Sequence, residues 1–368
     1  GQVDNITEMF QDALVFNSDI SNWDTSSVTS LVSIFKNAVK FNIDIGSWTV
    51  SNVNNMREAF SGAVDFNQNI SSWKVHNVTD MSSMFFNADS FDQPIGSWTT
   101  TSLKNTIFMF RKADVFDQDI SGWDVSNVWR FTGMFEEAIN FNQNLNSWKI
   151  LSSGAQMSRM FNGASSFNGD ISSWDISNSD GNLASMFKNA NSFNQDIGGW
   201  DVSNISNVES MFEGATQFNQ DIGPWRINIS NGNNMRNMFY NASSFNQDLS
   251  GWQVMLDAFL NYETFQGTES LSEENKCGIH DAFSGNYYWT RDWYIGCQYP
   301  NHPIVGTWSY YKLSITFEDT SNNSHYEKDS IVYNFMHDQT LAIVDTGNYN
   351  TLDESKTEYW RPAPPTYS

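Results

Sequence analysis

A tryptophan returns on one beat along this chain, at Trp23, Trp48, Trp73, Trp98, Trp123, Trp148, Trp174, Trp200, Trp225 and Trp252. The step is 25 residues, stretching to 26 or 27 in later copies. A fixed period of about 20–50 residues marks units that cannot bury an apolar face alone and therefore stack on their neighbours. Aligning on Trp exposes further columns. A Phe stands seven residues before it (Phe16, Phe41, Phe66 through Phe245), an Ala three before that Phe, and a second Phe three earlier still (Phe10, Phe35, Phe60 through Phe239). Of the 28 phenylalanines, 20 fall in these two columns, so the columns are read as core.

Two local periods alternate within each unit. Met81, Met84, Phe85, Ala88 and Phe91 fall at helical spacing, and Thr79 stands where an N-cap would. In FDQDISGWDVSNV (116–128), Ile120, Trp123, Val125 and Val128 alternate about the Trp as a short strand does. The expectation is an α/β solenoid, a leucine-rich-repeat-like array of about ten strand–helix repeats sharing a parallel sheet. A β-helix competes, but the helical third of the unit speaks against it.

The repeat, as in FDQDISGWDVSNV, with a Met and a Met-Phe pair following at helical spacing in copies such as that of Met81 and Met84-Phe85, resembles that of BspA-type leucine-rich-repeat surface proteins, a group that includes mycoplasma surface lipoproteins. The resemblance covers residues 1–266 and implies an extracellular, non-enzymatic protein used in adhesion or protein contact. It carries no binding residues to transfer. Residues 267–299 contain LSEENKCGIHDAFSGNYYWTRDW, similar to a cap found behind such arrays, with Ser272 opening a helix and Glu273 and Glu274 near its positive end. Residues 300–361 read as a small antiparallel β-meander whose Gly-Thr-Trp opening resembles lipocalin-like domains. Residues 362–368 form a Pro-rich tail or linker. Gly1 opens mid-repeat, and the chain is read as a piece of something longer.

Composition narrows the function. With 19 basic and 42 acidic residues the net charge is −23, which argues against nucleic acid, whose phosphates need Lys and Arg. No apolar run is long enough to span a bilayer. Cys277 and Cys297 are too few for a disulfide scaffold and not spaced for zinc; a single disulfide outside the cytoplasm is expected.

An Asx column follows the second Phe: Asn17, Asn42, Asn67, Asp92, Asp117, Asn142, Asn168, Asn194, Asn219 and Asn246. Two residues on, Asp19, Asp44, Asn69, Asp119, Asn144, Asp170, Asp196, Asp221 and Asp248 form another, interrupted by Pro94. These oxygens would suit Ca²⁺. The favoured reading is a stacked ladder that satisfies loop backbone and needs no cofactor. The Trp column falls on the inward beat and is read as buried, its N–H meeting a neighbouring carbonyl. That leaves the positions flanking Trp as a ligand face, above all Asp24, Lys74, His76, Asp124, Lys149, Asp175, Asp201 and Arg226. Four of the five histidines lie in the tail without metal spacing, and no nucleophile or phosphate motif occurs, so an enzyme is not expected. Sequons stand at Asn5, Asn69, Asn77, Asn204, Asn228, Asn241 and Asn322, about as many as chance gives in so Asn- and Ser-rich a chain. The expected function is contact with a protein or glycan on another surface. The alternative is a structural subunit of an appendage, filament or coat that packs against copies of itself.

Overall fold

In a computed structural model the chain divides into two units, Gly1–Asn301 and His302–Ser368. The structure describes residues 6–225, 234–252, 254, 260, 263–286 and 289 of the first unit and three strands of the second. The repeats of the first unit are coils stacked one upon the next, numbered here from the residue that opens each turn string: coil 4 is 79–103, coil 5 is 104–128, coil 6 is 129–154 and coil 7 is 155–180.

The expected α/β solenoid with a parallel sheet is not what these coils form. Among the described residues of the first unit there is one α-helix, α1 (Glu273–Phe283), and it lies outside the repeats. There is no β-strand in them either, only isolated parallel bridges such as Ser30 with Asn55, Asn55 with Asp80 and Asp80 with Asn105. The segment expected to be helical is a string of three-residue turns. Ile34, Lys36 and Ala38 donate their N–H groups to Leu31, Ser33 and Phe35, three residues back. The alternate amides, on Leu31, Ser33, Phe35 and Asn37, donate to Asn55, Arg57, Ala59 and Ser61 of the next coil. A helix would need both sets for its own four-residue bonds, and here half of them hold the stack together. Thr79, expected as an N-cap, instead donates both its N–H and its hydroxyl to the Asn54 carbonyl of the preceding coil.

Helical spacing misled because consecutive turns bring the same residues inward as a helix does. The distinguishing signal lies in the residue before the Ala column, which is left-handed at Asn37, Asn87, Asn189, Asn241 and Gly62, with φ between 54° and 70°. Asn and Gly tolerate that region best. At Gly62 a Cβ would also stand 2.4 Å from the Asn37 Oδ1 below it. The strand expected around W-x-V is likewise a pair of turns, Trp48 N–H to the Ile45 carbonyl and Val53 N–H to Val50. Trp and Val face inward, but their backbone pairs with no neighbouring strand.

Side chains complete the stack. Phe35 and Phe41 lie ring on ring at 3.7 Å within one coil, and each stacks on its counterpart in the next, at 5.6 Å for Phe35–Phe60 and 5.7 Å for Phe41–Phe66. The indoles form a third column, with Trp98 and Trp123 at 6.1 Å. These columns, with Ala, Met and the aliphatic positions, make one continuous core. Helix α1 closes it after the last coil: Phe283 stacks on Trp252 at 6.4 Å and meets Phe265 edge-on at 5.7 Å. Cys277 on this helix is disulfide-bonded; Cys297 lies outside the described residues.

In the second unit, β1 (Lys312–Glu318), β2 (His325–Val332) and β3 (Ile343–Asp345) form an antiparallel sheet in chain order. Leu313 pairs with Ser330 and Ile331 with Val344. The Gly-Thr-Trp opening and the Pro-rich tail lie outside the described residues.

Candidate interaction surface

The Asx column is a ladder. Asn17 Oδ1 accepts the Asn42 N–H at 2.9 Å, Asn42 that of Asn67 at 3.0 Å, Asn67 that of Asp92 at 3.0 Å and Asp92 that of Asp117 at 3.1 Å. It continues through Asn142, Asn168, Asn194, Asn219 and Asn246. Only the acceptor oxygen is used along the stack, which is why Asp serves as well as Asn. The column after it supplies a second donor that the sequence reading missed: Gln68, Gln93, Gln118 and Gln143 each donate to the same oxygen of the coil before. At the far end Ser272 N–H and the Asn275 side chain take these two roles on Asn246, so α1 finishes the ladder as well as the core.

The second Asx column is spent on turns. Each of its nine members accepts the N–H two residues on, as in Asp44 to Gly46 at 2.9 Å, Asp119 to Ser121 at 2.9 Å and Asp248 to Ser250 at 2.8 Å. The Ser121 hydroxyl, then its amide, holds the Asp119 carboxyl below its ordinary range, and Ser21 does the same for Asp19. The Trp column donates in register: Nε1 of Trp48, Trp73, Trp98, Trp123 and Trp148 meets the carbonyl of Ile20, Ile45, Ile70, Ile95 and Ile120 at 3.0–3.2 Å. The later indoles do likewise through Trp252, and these nine are at most 4 % exposed, against 37 % for Trp23.

Of the residues expected on the ligand face, Asp24, Lys74, His76, Asp124, Lys149, Asp175 and Asp201 are exposed. Four are partly committed, since Asp24, Asp124, Asp175 and Asp201 each accept the N–H two residues on at 3.0 Å. Arg226 lies outside the described residues, as do the sequons at Asn5, Asn228 and Asn322. Asn77 and Asn204 spend the side-chain nitrogen a glycan would occupy on carbonyls of the coil before, Ser51 at 2.8 Å and Ser177 at 3.1 Å. Asn69 caps a turn and Asn241 is left-handed at φ 57°. Among the described residues no group of three or more His, Cys, Asp or Glu side chains is arranged to hold a metal ion.

What stands out is where the repeat is broken. The residue that forms the coil-to-coil bridge is an Asx at Asn55, Asp80, Asn105, Asn182 and Asn207, and each caps a turn two residues on. In coil 6 it is Arg130, whose guanidinium lies 4.1 Å over the Trp129 ring. Three residues on, Gly133 stands where Ser33, Ser83, Ser185 and Ser210 or Glu8 and Glu58 stand in other coils, and a Cβ there would fall 2.4 Å from the Phe108 ring, so the glycine makes room for Phe108. Arg111 lies 5.3 Å from Phe108 and 5.4 Å from Phe86. It meets the buried Glu136 carboxylate at 3.4 Å, and Arg159 of coil 7 binds the same oxygen. Glu137 takes Arg111 and Lys112 at 3.3 and 3.5 Å.

The repeat also decides kinship. A family of mycoplasma proteins of unknown function, DUF285, matches at residues 1–98, 88–182, 151–252 and 181–276. The chain belongs to DUF285. No curated protein and no solved structure matches it. The four DUF285 matches span the stacked coils and reach into α1. No helix among the described residues is long and apolar enough to cross a membrane.

Proposed function

We propose that this protein is an extracellular, non-enzymatic surface protein that makes adhesive contacts with proteins or glycans through the flank of its coils. One observation carries the reading: the repeated polar side chains are consumed in building the stack, and recognition is left to the outward positions that differ from coil to coil. The disulfide-bonded Cys277 on the closing helix suits an oxidising exterior. The test is retention of the purified chain on immobilised extracellular-matrix proteins and on a glycan array, with sedimentation and electron microscopy in parallel. A discrete particle retained by a defined protein or glycan is expected. Ordered filaments without retention would overturn the reading in favour of a structural subunit.

A further inference from the structure

The departures from the repeat gather in adjoining coils and are of one chemical kind. Trp129 and Arg130 replace the Thr-Ser, Asn-Asn and Thr-Asp pairs at 29–30, 54–55 and 79–80, and Phe108 stands where Ser33, Ser83, Ser185 and Ser210 stand elsewhere. Aromatic side chains and arginine are the residues most enriched where proteins dock. Nothing in the stack requires them, because the Phe, Trp and Asx ladders run through these coils unchanged.

Charge is evened out here: Lys104, Arg111, Lys112, Arg130 and Arg159 stand against Asp80, Asp89, Asp114, Glu136 and Glu137, in a chain whose net charge is −23. Glu137, Asp89 and Asp114 face Lys112. Glu136 holds Arg111 and Arg159 from below, and Arg111 is further committed to Glu137. Among the described residues the Arg130 guanidinium lies over the Trp129 face and its buried Nε meets no acceptor. Arg130 bridges to Gln156, three residues before Arg159, which places the two arginines on the turn strings of neighbouring coils. Such planar forks match carboxylates two bonds at a time.

We propose that Trp129, Arg130 and Arg159, backed by Phe108, Arg111 and Glu136, form a docking site for an acidic peptide segment of a protein partner. The proposal rests on the contact function above and names the chemistry of the contact. A long polyanion fits less well, because the cations are few and the flanks on either side are acidic.

The test returns the site to the repeat. Trp129→Thr with Arg130→Asn restores the Thr-Asx pair and should melt at or near the parent temperature; Arg159→Ser takes one of the two guanidiniums from the buried Glu136 carboxylate and should melt lower while remaining folded. Fluorescence anisotropy with a labelled oligoglutamate peptide at low salt should show binding by the parent, weakened about 10-fold or more in each variant and by added salt. Binding that survives both reversions overturns the site. So does tighter binding of heparin than of oligoglutamate, or a parent dimer that the reversions dissolve. Retention on matrix proteins is measured on the same variants: if it persists unchanged while the parent ignores oligoglutamate, the contact function stands and this site fails.

Discussion

Coils 4 and 6 are the same frame with different faces. In coil 4 Phe85 and Phe91 stack at 3.9 Å and Trp98 donates to Ile70; in coil 6 Phe135 and Phe141 stack at 4.0 Å and Trp148 donates to Ile120. Outward, coil 4 offers Asp80 capping Ser82, both in a self-contained turn, whereas coil 6 offers Arg130 on Trp129 and a glycine that admits Phe108. The inner geometry does not change when the outer letters do. Inward ladders and outward chemistry are therefore separable, and mutations should sort by which side of the coil they touch.

The largest effect should come from the shared frame. Trp123→Ala removes a fully packed indole and leaves the Ile95 carbonyl without its 3.0 Å donor, so chemical denaturation should show a loss of about 3–5 kcal/mol. Next comes the junction of frame and face. Gly133→Ser keeps a residue type that Ser33 and Ser83 already hold at φ 52°, so its cost should be steric, about 2 kcal/mol from overlap with Phe108. Phe108→Ser in the same molecule should recover most of that loss; a fully additive double variant would break the comparison.

The ladder should respond to acceptor loss and not to charge. Asn142→Ala strips the acceptor from the Asn168 N–H and should cost about 1–2 kcal/mol, whereas Asn142→Asp should melt close to the parent. Acid should act more gently. The Asp19, Asp24, Asp119 and Asp201 carboxyls are each held low by a serine hydroxyl and then by its amide, so their folded values lie below the unfolded ones. Their contribution is present above the unfolded value, near pH 4, and fades as pH falls through the lower folded values. Melting temperature should thus decline on acidification below about pH 4, less so in an Asp119→Asn variant. The smallest effect should be that of chelation: because the Asx oxygens already accept N–H groups, EGTA should leave the melting temperature unchanged, and a large drop would assign them to a cation.

Much of the inner face was legible. The Trp, Phe, Ala and Met columns are core, and burial of the indoles with their N–H on a carbonyl follows from their place on the inward beat. The turn string was not read, although Asn37, Gly62 and Asn87 carry its signature, because side-chain spacing reports what faces inward and is silent on which amide bonds to which carbonyl. The Gln column was missed for a related reason: Gln68 finds its acceptor on Asn42, a whole coil earlier. Arg130 and Phe108 lie away from the flanks of Trp, because the repeat breaks on the turn string, whose outward positions the inward columns do not mark.

By itself the sequence determined the 25-residue period, the inward columns and the acidic exterior, since periodicity and composition are properties of the chain in one dimension. Only the tertiary structure decided that half the amides leave their own coil, that the Asx oxygens cap the coil above, and that Arg111 and Arg159, 48 residues apart, close on one carboxylate. Those are bonds between residues a full turn of the stack apart, and their partners are chosen by register, which no single repeat contains.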